Sequence, residues 1–281
     1  MSARKIKEAP TPLLGELEVF TNNIPSRYPH SPLRYPGGKS RAIREILPMI
    51  PEDTTVLCSP FLGGASIELA CTVKGIRVKG YDIFEPLIDF WQCLLDTPNK
   101  LANQVEKYHP LDRKQFYALQ KHYTTIKDTL VRAAVFYVLN RSSFSGVTLS
   151  GGMSTGHPRF TQSSIERLRE FTAHNFLVAK ADYRLSIAEN QDAFLYLDPP
   201  YRNGQKLYGI KGDAHQSFDH KTLRELLNQR NSWILSYNDC PTIRKWYKDY
   251  RILKANWQYG MGSHKKSNEI IIISHDLRIA A

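Results

Sequence analysis

From about Leu33 onward, short continuous apolar runs alternate with stretches of helical period. The runs "TVLCSPF" (55–61), "IRVKGYD" (76–82), "NFLVAK" (175–180), "AFLYLD" (193–198), "SWILSYN" (232–238), "YRILKAN" (250–256) and "NEIIIIS" (268–274) have the length and β-rich content of buried strands. Between them, "ASIELACTVKG" reads as a helix ended by Gly75, "EPLIDFWQCLL" as a helix with Pro86 in its first turn, and "FDHKTLRELLNQR" as a third. Apolar strands joined by helices predict an α/β fold with a mostly parallel sheet covered on both faces. The closing two strands have only a short connection between them, which predicts an antiparallel hairpin at the sheet edge.

This alternation is interrupted from about Thr97 to Phe171. That stretch is mainly helical ("DRKQFYALQKHY", "TLVRAAVFYVLN", "SIERLREF") and carries the Gly/Ser-rich segment "RSSFSGVTLSGGMSTGHPRF" between two helices. A long irregular loop in a compact domain usually has a functional role. The expected organisation is an arm over residues 1–30, marked by Pro10, Pro12, Pro25 and Pro29, a main domain over 31–96 and 172–281, and a smaller inserted domain over 97–171.

Composition changes the picture in two ways. The chain of 281 residues has 38 Lys+Arg against 27 Asp+Glu, a net charge of +11, which favours a polyanionic partner. The longest aliphatic run is only Ile270 to Ile273, and no basic-then-apolar leader opens the sequence, so neither a membrane nor secretion is expected. Cys58, Cys71, Cys93 and Cys240 lack metal-ligand spacing and are expected to be reduced thiols in a cytosolic protein, with no metal site.

In open α/β sheets, ligands bind beyond the carboxyl ends of strands near the point where strand order reverses. Three segments have that address. In "SPFLGGAS", Phe61, Gly63 and Gly64 lie between a strand and a helix, where glycine admits close approach of a ligand. Two glycines alone are better explained by an ordinary turn. Asp82 ends the next strand, nineteen residues after Gly63, where a carboxylate holds a ribose diol or caps the following helix. In "FLYLDPPYRNG", Asp198 and Pro199 are held extended by the prolines after them, and neither Pro199 nor Pro200 offers an N–H. Two acceptors side by side, the Asp198 carboxylate and a backbone carbonyl, suit a group with two N–H donors. Tyr201 adds a flat face for stacking. The segment reads as a receptor for an aromatic amine.

The order "RYPGGKS", "PFLGGASIEL", "YDIFEPLIDFW", a helical insertion, "DPPY", "SYND" and "KKSNEIIIIS" resembles the Dam-like (D12) class of adenine-N6 DNA methyltransferases, over roughly residues 31–275. The resemblance implies a Rossmann-like mixed sheet with an inserted helical target-recognition domain, S-adenosylmethionine as cofactor and double-stranded DNA as partner. By the same resemblance Tyr35 and Lys39 contact the cofactor, Lys39 near its carboxylate. Phe61 and Gly63 line the methionine portion, Asp82 holds the ribose, and Ile83 and Asp182 lie near the cofactor adenine. Asp198, Pro199, Pro200 and Tyr201 receive a flipped-out target adenine.

Within the insertion, "NRSSFSGVTLSGG" corresponds to the hairpin that reads DNA in this class, with Phe144 in the position of a wedging aromatic. Ser145 and Leu149 stand where GATC readers carry Asn and Arg, which argues against GATC as the target. Arg141 and Arg159 are candidate base or phosphate contacts, as are Lys265 and Lys266 in a tail where residues 241–281 hold eight Lys/Arg against three acids. The implied protein is a cytoplasmic monomer of bacterial or phage origin, acting alone or alongside a restriction endonuclease of the same site. Two other classes compete with this reading: a methylase of side-chain amides or RNA, which would tend to place Asn at position 198, and a non-catalytic DNA-binding module, which would not bind the cofactor.

Overall fold

Each of the seven apolar runs forms a strand within two residues of its expected bounds. The computed structural model describes residues 28–154, 159–202, 218–257 and 268–277. Its strands are β1 (Val56–Ser59), β2 (Arg77–Asp82), β3 (Phe176–Lys180), β4 (Phe194–Leu197), β5 (Trp233–Asn238), β6 (Arg251–Lys254) and β7 (Glu269–Ile273). They build one sheet in the order β3-β2-β1-β4-β5-β7-β6. The first five are mutually parallel, and β7 runs antiparallel to both β5 and β6. The fold is a mixed α/β sheet of the kind found in S-adenosylmethionine-dependent methyltransferases.

Burial follows position in the sheet. Every residue of β4 and β7 is buried, whereas β3 and β6 at the two edges are largely open. Four consecutive isoleucines, Ile270 to Ile273, need cover on both faces, so β7 takes the interior place beside β5. Strand β6, with Arg251 and Lys254, takes the edge, where charge discourages pairing with another chain.

The helices before the insertion are α1 (Ile43–Ile46), α2 (Ser66–Val73) and α3 (Glu85–Asp96). Then α4 (Pro98–Glu106), α5 (Arg113–His122), α6 (Thr129–Ser142) and α7 (Gln162–Arg169) fall between β2 and β3 in the chain. The series closes with α8 (Tyr183–Glu189), α9 (His220–Asn228) and α10 (Pro241–Trp246). Capping explains several starts: the Asp112 and Thr161 side chains form reciprocal capping boxes at α5 and α7, and Asp128 caps α6. The inserted helices share one apolar core with the sheet. Phe90 of α3 stacks on Tyr137 of α6 with ring centroids 5.5 Å apart, and Trp91 packs on Phe176 of β3.

Chain order turns at the middle of the sheet. It steps outward from β1 through β2 to β3, then returns to β4 on the other side of β1. The crevice between the carboxyl ends of β1 and β4 is therefore the reversal point, where open α/β sheets bind their ligands. Cys58, Cys71 and Cys240 are buried, Cys93 is half-buried, and none is in a disulfide. Among the described residues, no helix is long and apolar enough to cross a membrane, and no cluster of His, Cys, Asp or Glu is arranged to hold a metal ion.

Candidate active site

A cavity of about 440 Å³ opens at this reversal point, a size typical of small-molecule sites. It is lined by the turns after β1, β2 and β4 and by the 35–39 segment that leads into α1. Tyr35, Lys39, Phe61, Gly63, Asp82, Ile83, Asp182, Asp198, Pro199, Pro200 and Tyr201, all anticipated from sequence, lie on its wall.

The Asp82 end is built by backbone. The Asp82 carboxylate accepts N–H bonds from Gly63 (3.2 Å) and Phe84 (3.0 Å), while Trp91 Nε1 donates to the Gly63 carbonyl (3.1 Å). These bonds fix the turn after β1 against the end of β2. Gly63 has φ +48, and a Cβ there would sit 2.9 Å from the Tyr35 ring, so glycine is required on both counts. Burial pushes the Asp82 carboxyl above its usual range, and the N–H bonds from Phe84 and Gly63 oppose that shift. Ile83 is 63% exposed at the lip, an apolar face beside a fixed carboxylate. Asp182 caps α8 through the Arg184 N–H (2.9 Å) and pairs with the Arg184 guanidinium (3.3 Å), so it has a structural role as well as a place on the wall. Phe61 stacks on Tyr183 with centroids 5.7 Å apart.

At the other end, β4 stops at Leu197 and Asp198 turns into the cavity. Lys39, only 4% exposed, donates to both Asp198 oxygens (2.8 and 2.7 Å), to the Gly37 carbonyl (3.1 Å) and to the Tyr201 hydroxyl (2.9 Å). Burial pushes the Asp198 carboxyl up; the Lys39 ammonium opposes this and the Glu269 charge adds to it. Glu269, on β7, accepts from the Tyr201 hydroxyl and from Trp257 Nε1 (2.9 Å). Below them Glu68 of α2 accepts from Ser59 Oγ (2.6 Å) and is pushed to about 7 by burial. Sequence reasoning assigned no role to Glu269, Glu68 or Trp257, although an acid heading an all-isoleucine strand and another within "ASIELA" are local anomalies that signal a buried charge.

The Gly/Ser-rich segment of the insertion closes as a hairpin-like loop: Ser143 bridges Met153, and the Phe144 N–H donates to the Gly152 carbonyl (2.9 Å). Beside this pairing Phe144 is 68% exposed and Ser145 has φ +55. Leu149 is buried in the core. The Arg141 guanidinium donates twice to the Arg159 carbonyl (3.0 and 2.8 Å) and once to Pro32 O (3.4 Å). It therefore ties the chain together, and Arg159 is exposed beside it. Lys265 and Lys266 lie outside the described residues. Asn140, another residue without an assigned role in the sequence reading, is fully buried and bonds the Arg34 N–H and carbonyl, each at 2.8 Å.

A family model of the D12 class N6 adenine-specific DNA methyltransferases matches residues 35–261, from the Tyr35 wall of the cavity to beyond the Asp198 turn. The chain belongs to that class. Among its relatives, a type II methyltransferase, M1.LlaDCHI of Lactococcus lactis subsp. cremoris, is 24% identical over 86% of this chain and 94% of its own length. The DNA adenine methylase of Salmonella typhi is 22% identical over the same shares. The type II methyltransferase M.CviBI of Paramecium bursaria Chlorella virus NC1A is 23% identical over 78% of this chain and 86% of its own. This D12 methyltransferase is thus an enzyme that acts on adenine N6 in DNA.

Proposed function

We propose that the cavity binds S-adenosylmethionine and that the Asp198–Tyr201 turn receives a target adenine flipped out of duplex DNA. One observation carries this reading: a single cavity has the backbone-fixed Asp82 carboxylate at one end and the Asp198 turn at the other, joined by a glycine floor. The residues suit the cofactor by their chemistry. Asp82 has lone pairs left for a ribose diol, Ile83 and Phe61 offer apolar faces, and the Lys39 ammonium is within the wall. When bound, the cofactor supplies a methyl group on a positively charged sulfur.

An adenine amino group is a poor nucleophile because its lone pair is delocalised into the ring. The Asp198 carboxylate and the Pro199 carbonyl accept its two N–H bonds and push charge back toward N6. Both contacts strengthen as positive charge develops on that nitrogen, so they stabilise the transition state more than the ground state. Asp198, its carboxyl raised by burial, is then placed to take the proton that N6 loses. Flipping the base costs a few kcal/mol, and stacking on Tyr201, roughly 1–3 kcal/mol, offsets much of this.

The inserted segment 97–171 reads the DNA in this proposal, with exposed Phe144 as the wedge into the stack. Leucine at position 149 has no donor for guanine where GATC readers carry Arg, so this reading expects a target other than GATC. The enzyme acts in the cytoplasm as a monomer, alone or beside a restriction endonuclease of the same specificity. Calorimetry tests the cofactor reading: Asp82→Ala weakens S-adenosylmethionine binding by roughly tenfold or more. Unchanged affinity contradicts it.

A further inference from the structure

No residue of "SYND" (236–239) lines the cavity, although the motif runs through the end of β5, the strand paired with β4. The last pair between these two strands is Leu197 with Leu235. Equally far beyond it come Pro200 on one strand and Asn238 on the other. Pro199 and Pro200 have no N–H to donate, so they break the ladder just where the Asp198 turn begins. The Asn238 side chain takes over: its Oδ1 accepts the Arg202 N–H at 3.3 Å. The Arg202 guanidinium in turn lies over the Trp246 ring of α10, 5.0 Å from its centroid. Asn238 is not needed to start that helix, because α10 begins after Cys240 without a side-chain cap and Asp239 is paired with Arg244 at 2.5 and 2.8 Å. Its own backbone is fixed by the pairing of β5 with β7, opposite Glu269, which accepts from the Tyr201 hydroxyl. One rung of the sheet therefore grips both Tyr201 and Arg202.

We propose that Asn238 is a positioning residue for methyl transfer: its side-chain acceptor replaces the strand pairing that the two prolines remove, and so holds the Asp198–Tyr201 turn in the geometry that receives the target amine. The inference rests on that turn being the adenine receptor and adds a residue outside the cavity wall. The prolines keep N–H donors away from the paired acceptors, and the consequence is a turn cut off from β5. Asn238 restores the attachment at the end of the turn remote from Asp198. What it controls is the angle at which the Pro199 carbonyl and the Tyr201 ring meet the base, and not the hold on the cofactor. Transfer needs the attacking nitrogen in line with the methyl group, and a misplacement of about 1 Å costs roughly 100-fold in rate.

The test is single-turnover methyl transfer from S-adenosylmethionine to genomic DNA of a bacterium lacking adenine methylation, with cofactor affinity measured by calorimetry on the same full-chain proteins. Asn238→Ala slows transfer about tenfold or more. Its affinity for S-adenosylmethionine stays within about twofold of wild type, because Asn238 is no part of the cavity wall. Asn238→Asp keeps an acceptor at the same reach and returns the rate to within about threefold of wild type. A purely structural role gives a different pattern: rate and cofactor affinity fall together, and aspartate does not rescue. That pattern, or a loss of rate smaller than tenfold in folded Asn238→Ala, overturns the proposal. If the alanine variant does not fold, Asn238→Asp decides alone, and a rate more than threefold below wild type overturns the proposal. Transfer by Asp198→Ala at the wild-type rate removes the reading of the turn, and this inference with it; a slow Asp198→Ala beside a fast Asn238→Ala removes this inference alone.

Discussion

Glu68 shows how a single buried acid shapes the site. It is 2% exposed, bonded to Ser59, and kept protonated to about pH 7 by burial. The charged and titratable groups acting on it or feeling it are Asp198 and Tyr196 from β4 and its turn, Lys39 from the segment before α1, and Cys71 on its own helix. In the unfolded chain its carboxyl ionises near 4.5. Between about 4.5 and 7 the native state holds the extra proton, so stability falls as pH rises through that window and this contribution levels off above it. The total is on the order of 3 kcal/mol. Denaturant unfolding at pH 5 to 7.5 shows the slope, and Glu68→Gln flattens it. Equal slopes in the two proteins contradict the assignment. Asp82 and Asp198 were legible from sequence because they stand at strand ends beside turn residues, and Tyr201 because it follows the Asp-Pro-Pro turn. Glu68 and Glu269 were not, because their partners lie on other elements and no motif links them: Ser59 on β1 for Glu68, Tyr201 and Trp257 for Glu269.

At the scale of elements, the segment 34–39 joins the insertion to the cavity. Asn140 of α6 clamps the Arg34 backbone on both sides and also donates to Thr148 Oγ1 (3.1 Å). Gly146, with φ +76, lies so close that a Cβ would fall 2.0 Å from the Arg34 carbonyl oxygen. The loop bearing Phe144 is thereby fastened to the residue before Tyr35. Asn140→Ala leaves the Arg34 N–H and carbonyl without these partners and costs about 1–3 kcal/mol. Because Arg34 leads directly into Tyr35 and Lys39, affinity for the cofactor falls too. Thermal melting and cofactor titration check both effects, and wild-type values for each contradict the coupling. The long amphipathic helices were readable from their period. The short α1, α8 and α10, four to seven residues each, carry too few turns for a pattern. That is why Asp182 read as a ligand without its cap on α8 being seen. The edge hairpin was anticipated, while the insertion of β7 inside β6 required weighing four isoleucines against two edge cations.

For the whole molecule, motif order, a +11 charge and a strand reversal at β1 and β4 converge on one site. The fold was largely legible because an α/β sheet repeats a simple burial rule along its length. Which side chains of the 143–153 loop face outward was not, because burial there is set by packing against other elements, and Leu149 faces inward. The account stands most directly on Asp198, and single-turnover transfer of labelled methyl from S-adenosylmethionine to unmethylated duplex DNA, resolved by nucleoside, measures it. Wild type places the label on adenine N6. Folded Asp198→Ala protein that still binds cofactor is slower by at least about 100-fold. Transfer by that variant at close to the wild-type rate would contradict the account.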